Sequence, residues 1–199
     1  IAVQSSDIVC SDTPALVVTL FRGVKRPGGA IGAVGKARGG DITQWIKDGA
    51  IKSGAGEATL IHTLGKIRPR RVLVAGLGPQ EKFDVQVVRR VLAEVVRFLR
   101  RKGISSAATI AHGAGIGGLD PQSSGQAIAE GAHLGLYKFG TYLTKDSDSN
   151  NEFELCTTAA ITNAPFLAAF LKYPTSVAAN VCLSSHLYPD IWPGLYNGY

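Results

Sequence analysis

The sequence predicts an α/β domain in which helices cover a mixed or parallel sheet. Three observations carry this expectation. Short apolar, β-branched runs alternate with helical stretches as far as Tyr137. Those runs are apolar at successive positions, the mark of strands buried on both faces. Between residues 84 and 102, Val88, Val91, Leu92, Val95, Val96 and Leu99 recur at the spacing of one helical stripe.

Taken in order, residues 11–14 (SDTP) read as a turn and residues 15–21 (ALVVTLF) as a buried strand. The glycines of residues 23–40 predict a loop with at most a short helix near 30–37. A helix follows over 41–51, with Asp41 as its N-cap candidate. Residues 58–64 and 71–75 read as strands joined by a basic turn at 65–70. The amphipathic helix over 84–102 comes next, then a strand over 107–111 and a glycine loop over 113–118. A helix over 121–137, with Pro121 in its first turn, completes the alternation. The polar run 146–151 (DSDSNN) marks a boundary. The expected division is a domain over residues 1–145, a linker over 146–154 and an atypical tail over 155–199. That tail carries only Lys172 and Asp190 as charges and has no clear apolar period. It is expected to be either a stretch read in a shifted frame or a divergent extension.

Composition narrows the function classes. A chain of 199 residues buries a core without disulfides, and Cys10, Cys156 and Cys182 share no CxxC spacing, which fits a reducing cytoplasm. No apolar stretch is long enough to span a bilayer, and the opening residues lack the pattern of a secretion signal, so a soluble, cytoplasmic protein with no membrane partner is expected. The absence of any methionine implies native residues missing at the ends. A net charge of +6 raises the prior for a polyanion partner without deciding it.

Four constellations bear on chemistry. Residues 113–118 satisfy G-x-G-x-x-G between a strand and a helix, where glycine backbones can cradle a phosphate. Asp120 places a negative charge at that spot, so a plain glycine turn is preferred. Residues 27–35, flanked by Lys25, Arg26, Lys36 and Arg38, form a candidate anion nest, weighed against an ordinary solvated loop. Arg89, Arg90, Arg97, Arg100 and Arg101 lie along the long helix and are candidate nucleic-acid contacts, weighed against the solvated face of an amphipathic helix. The histidines stand singly, with His62 expected to be a satisfied core imidazole. Asp146 and Asp148 sit in a polar run without a rigid second shell. Neither a catalytic constellation nor a metal site is expected.

Residues 13–40 (TPALVVTLFRGVKRPGGAIGAVGKARGG), 56–82, 88–101, 114–120 and 127–139 resemble, in order and spacing, the amino-terminal domain of the leucyl aminopeptidase family of the cytosol type. The resemblance implies a three-layer α/β/α domain related to macro domains. It also implies a partner in the chain's own carboxy-terminal peptidase domain, which would hold two divalent metals, zinc or manganese, and a hexameric assembly. DNA binding occurs in some members. This chain by itself would carry no cofactor and no peptidase activity. The relation to macro domains matches Asp7 to an adenine-contacting acid and Gly28, Gly29, Ala30 and Gly32 to a ribose-phosphate loop. The Asn-Ala-Asn signature expected after the first core strand is replaced here by Val18, Thr19 and Leu20.

Overall fold

The computed structural model describes residues 2–4, 9, 11–113, 117–137 and 153–158. Its elements run β1 (Ala2–Gln4), β2 (Ala15–Phe21), α1 (Gly29–Ala37), α2 (Asp41–Lys47), β3 (Ala58–His62), β4 (Arg71–Gly78), α3 (Val85–Arg101), β5 (Ser106–Ile110), α4 (Pro121–Leu136) and β6 (Glu154–Thr158), with one 3-10 turn at Gln80–Lys82. The strands form a single sheet in the order β1-β6-β5-β2-β4-β3. All neighbours pair parallel except β3, which runs antiparallel to β4 at the edge.

The continuous apolar runs of β2 and β4 exist because both sheet faces are covered. Along β2, Ala15, Val17 and Phe21 pack into one core with Val88, Leu92 and Leu99 of α3 and Ile128 of α4. Leu16, Val18 and Leu20 point the other way, into a second core with Ile31 and Val34 of α1 and Ile42 of α2. The result is three layers, α1 and α2 above the sheet and α3 and α4 below it. Full burial of a leucine- or valine-sized side chain contributes about 1.5–3 kcal/mol relative to exposure, so these two seams are what hold the layers together.

The expected stripe on α3 is buried in full, and the Asp84 carboxylate accepts the Val87 N–H at 2.8 Å as its N-cap. Against it, α4 lies close. A Cβ on Gly131 would come within 2.4 Å of the Arg89 carbonyl oxygen, and one on Gly135 within 2.6 Å of the Ala93 carbonyl oxygen. Glycine is what allows the two backbones to touch.

Several boundaries differ from expectation. α1 lies where the short helix is expected and starts one residue earlier, at Gly29, which takes a positive φ (57°). α2 stops at Lys47, because Gly49 turns left-handed (φ 72°) and Ala50 N–H bonds back to the Trp45 carbonyl at 2.9 Å. Its N-cap is Gly40, with Asp41 one position later. His62 is not a core imidazole: it ends the edge strand β3, where alternation puts Ile61 inside and His62 in solvent. Finally, β6 seats a buried Leu155 between β1 and β5, so the sheet continues where a linker ends and a tail begins in the expected division. Residues 146–151 and 159–199 lie outside the described residues.

Candidate functional site

In an open, mainly parallel sheet, ligands settle beyond the carboxyl ends of two neighbouring strands whose following connections leave to opposite faces. Here those strands are β2, which leads to α1 and α2 on one face, and β5, which leads to α4 on the other. The crevice between them is filled by the chain itself. His112, just past β5, is fully buried, with Nδ1 3.3 Å from the Thr19 hydroxyl of β2 and Nε2 2.6 Å from the Thr109 hydroxyl of β5. Its backbone carbonyl accepts from the Ser124 hydroxyl of α4 at 2.6 Å. Burial pushes its pKa down to about 3, so the ring is neutral. A neutral imidazole has one donor and one acceptor, and two hydroxyls satisfy both. The arrangement is a lock between strands and helix, with no lone pair left over for chemistry.

Phe83 closes the same edge. Its ring meets Phe21 edge-on, with centroids 4.9 Å apart and planes at 87°. A Cβ on Gly113 would stand 2.7 Å from the Phe83 ring, and one on Gly117 2.4 Å from it. Gly113 and Gly117 therefore make room for an aromatic ring, whereas Gly118 has open space around it and a positive φ of 68°. At the adjoining start of α4, the Asp120 carboxylate accepts from the Ser123 N–H at 2.9 Å and from the Ser123 hydroxyl at 3.1 Å. The helix terminus that would have favoured a phosphate already has its own anion, which agrees with the preferred reading of a plain glycine turn.

The second glycine group stands apart from this lock. Gly28 is the N-cap of α1 without a side-chain acceptor, and Gly29, Ala30 and Gly32 form its first turn. A Cβ on Gly32 would lie 2.6 Å from the Pro27 carbonyl oxygen, so the approach of the chain dictates that glycine. The open glycine loop of the expected nest is thus a helix start. Asp7 lies outside the described residues.

The arginine row divides. Arg89, Arg90 and Arg97 line one groove of about 310 Å³ between α3 and α4, together with Gln86, Ala93 and Leu134. Arg89 is ion-paired with Glu130 of α4 and hydrogen-bonded to Gln86, and Arg97 is paired with Glu94. Arg100 donates to the Leu136 carbonyl at 2.9 Å and so caps the end of α4. Arg90 and Arg101 are exposed and have no ion-pair partner among the described residues.

Arg38, one of the cations flanking the expected nest, is buried. It donates from one guanidinium nitrogen to the His62 carbonyl at 3.2 Å and lies 3.7 Å from Asp41 and 5.3 Å from the Trp45 ring centroid, while its Nε has no hydrogen-bond partner among the described residues. Lys66 donates to Asp41 at 2.7 Å and holds that carboxyl below its ordinary range. This cluster ties α1 and α2 to the end of β3. Among the described residues, no group of three or more His, Cys, Asp or Glu side chains is placed to hold a metal ion. No helix of the described residues is long and apolar enough to cross a membrane.

Comparison with known proteins follows the same lines. The macrodomain of Trypanosoma brucei, solved in complex with ADP-ribose, superposes with a TM-score of 0.65 at 14% identity, covering 85% of this chain and 66% of that one. The bottromycin maturation enzyme BotP superposes at 0.53 with 20% identity, covering 80% of this chain and 29% of that one. These likenesses establish the fold, a macrodomain-like α/β/α sandwich. In sequence, the probable cytosol aminopeptidases of Alkaliphilus metalliredigens and Alkaliphilus oremlandii are 33% and 32% identical over 129 and 135 residues. Those stretches are 65% and 68% of this chain but 26% and 27% of the relatives, so the chain spans about a quarter of their length. The profile of the cytosol aminopeptidase family, N-terminal domain, matches residues 17–146, and the chain therefore belongs to the cytosol (leucyl) aminopeptidase family, whose N-terminal domain it carries.

Proposed function

We propose that this chain serves as the non-catalytic N-terminal domain of a metal-dependent aminopeptidase, contributing to oligomer assembly while a separate domain holds the two metals and cleaves peptides. The carrying observation is that the crevice at the carboxyl ends of β2 and β5 is filled by His112 and Phe83. The profile match to an N-terminal domain supports the reading. With its customary ligand position occupied, the fold has outer surfaces left for work, which suits a scaffold.

The test is aminopeptidase activity of the purified 199-residue chain on a leucine anilide with added manganese or zinc, against a chelator control. No turnover by the folded chain is the expected result, and metal-dependent turnover overturns the non-catalytic reading. Light scattering at high salt tests the assembly role: a multimer that survives screening supports it, and a monomer at all concentrations sinks it.

A further inference from the structure

We infer that the groove between α3 and α4 is a docking site for an acidic protein segment that inserts an apolar anchor side chain. The inference goes beyond the assembly role and stands independently of it, because the occupant it names is unlike this chain's own face.

The argument begins with the close approach of the two helices. Gly131 and Gly135 let α4 settle onto the backbone of α3 at Arg89 and Ala93. With the backbones in contact, the long side chains that flank the seam stand up as walls, Arg90 and Arg97 on one side and Leu134 on the other, over the small floor of Ala93. Leu134 is 57% exposed and Tyr137, one residue past α4, is 71% exposed. Of the two, Leu134 lines the groove and offers an apolar anchor point with no cover among the described residues.

Charge selects the occupant. At 3.6 residues per turn, the five arginines of α3 fall within about 120° of arc, on the side that carries the groove. Against these five cations stand Glu94 and Glu130, so the face carries a net charge of 5 − 2 = +3. A second copy meeting this face about a two-fold axis would set +3 against +3, so self-pairing here is disfavoured. Two lining arginines are already held by carboxylates and a glutamine. That leaves Arg90 as the lining cation without an ion-pair partner among the described residues, and the exposed Leu134 in the same lining favours a protein segment over a phosphate backbone. Acidic side chains meeting Arg90 and Arg97, with a leucine or aromatic side chain entering between Ala93 and Leu134, match the groove in both chemistry and size.

The experiment uses the full chain and a fluorescein-labelled amphipathic peptide of about five helical turns, with glutamates on one face and two leucines four positions apart on the other. Fluorescence anisotropy is read at low salt and near 0.15 M. Saturable binding is expected to weaken about tenfold or more with Arg90→Glu and several-fold with Leu134→Ser. It should also weaken when the peptide's leucines become serine, and be absent when its glutamates become lysine. Both protein positions are exposed, and an unchanged melting curve confirms that each variant folds. Binding that ignores both substitutions, or no saturable binding at all, overturns the inference. So does a labelled DNA duplex that binds more tightly than the peptide, which would make the face a nucleic-acid surface. Light scattering on the same samples keeps the two proposals apart: loss of peptide binding with unchanged mass leaves the assembly role standing, and a monomer that still binds the peptide sinks assembly alone.

Discussion

The carboxyl ends of β2 and β5 and the outer face of α3 and α4 are opposites in how they treat polar groups. In the first region the imidazole of His112 is buried and satisfied by two hydroxyls, and an aromatic ring fills the remaining space. In the second, two arginines have no carboxylate partner among the described residues, and Leu134 and Tyr137 stand in water. Buried polar groups with every partner in place add to the stability of a fold, whereas exposed charges add little. At the carboxyl ends of β2 and β5 the polar groups of His112, Thr19 and Thr109 are spent on one another, while the charges of α3 that have no ion-pair partner among the described residues stand on the outside.

The sharpest way to break that contrast is His112→Ala. Removing a fully buried ring leaves a cavity and strands the Thr109 hydroxyl, and together these cost about 3–4 kcal/mol in denaturant unfolding. A loss below about 1 kcal/mol would mean that the crevice is not a core. Gly117→Ala comes next at about 2 kcal/mol, because its methyl would stand 2.4 Å from the Phe83 ring. Phe83→Ala in the same chain should recover part of that cost, since the clash is with the ring. No recovery would show that the strain at residue 117 has another source.

Acid adds a graded effect. Above pH 6.5 the His112 imidazole is neutral in both folded and unfolded chains and contributes no slope. Between the unfolded value of 6.5 and the folded value of about 3, only the unfolded chain takes up the proton, so stability falls as pH falls, by at most about 1.4 kcal/mol per pH unit. His112→Gln should flatten this window. Asp41, whose pKa is lowered mainly by the hydrogen bond from Lys66, acts in a separate window. Its contribution is complete above the unfolded value of 3.8 and is lost below it, so Asp41→Asn should alter the curve only there. Urea titrations from pH 7 to 3 of the two variants and the parent chain separate these contributions.

The layers were legible because their signals are local. The stripe on α3 follows from a periodicity of 3.6 and the run of β2 from continuous apolarity, each within one segment, and their buried residues match. The lock was not legible. His112 gave no sign of burial because its partners, Thr19 and Thr109, come from two strands that meet only in the assembled sheet. Phe83 reads as an isolated aromatic before a helix cap, and the glycines that admit its ring lie at least 30 residues along the chain. His62 misled for the converse reason: it sits in an apolar run, but it is the last residue of an edge strand and stands in solvent. The G-x-G-x-x-G spacing is the same whether glycine makes way for a phosphate or for a ring, and only the position of Phe83 decides between them.

The smallest expected effect bears hardest on the outer face. Arg90 is exposed, has no ion-pair partner among the described residues, and shares its side of α3 with Arg97 and Arg101. If that row belonged to the fold, Arg90→Ala would cost stability. If it is surplus to the fold, the change should stay within about 0.5 kcal/mol, with any shift being a slight gain as like charges are thinned, and the gain should vanish as salt screens them. Thermal unfolding at low and high salt distinguishes the two. A side chain that the fold does not need, standing at the edge of a groove with an exposed leucine across it, is positioned to act on something else. A clear loss of stability on its removal would return this face to the ordinary architecture of the domain.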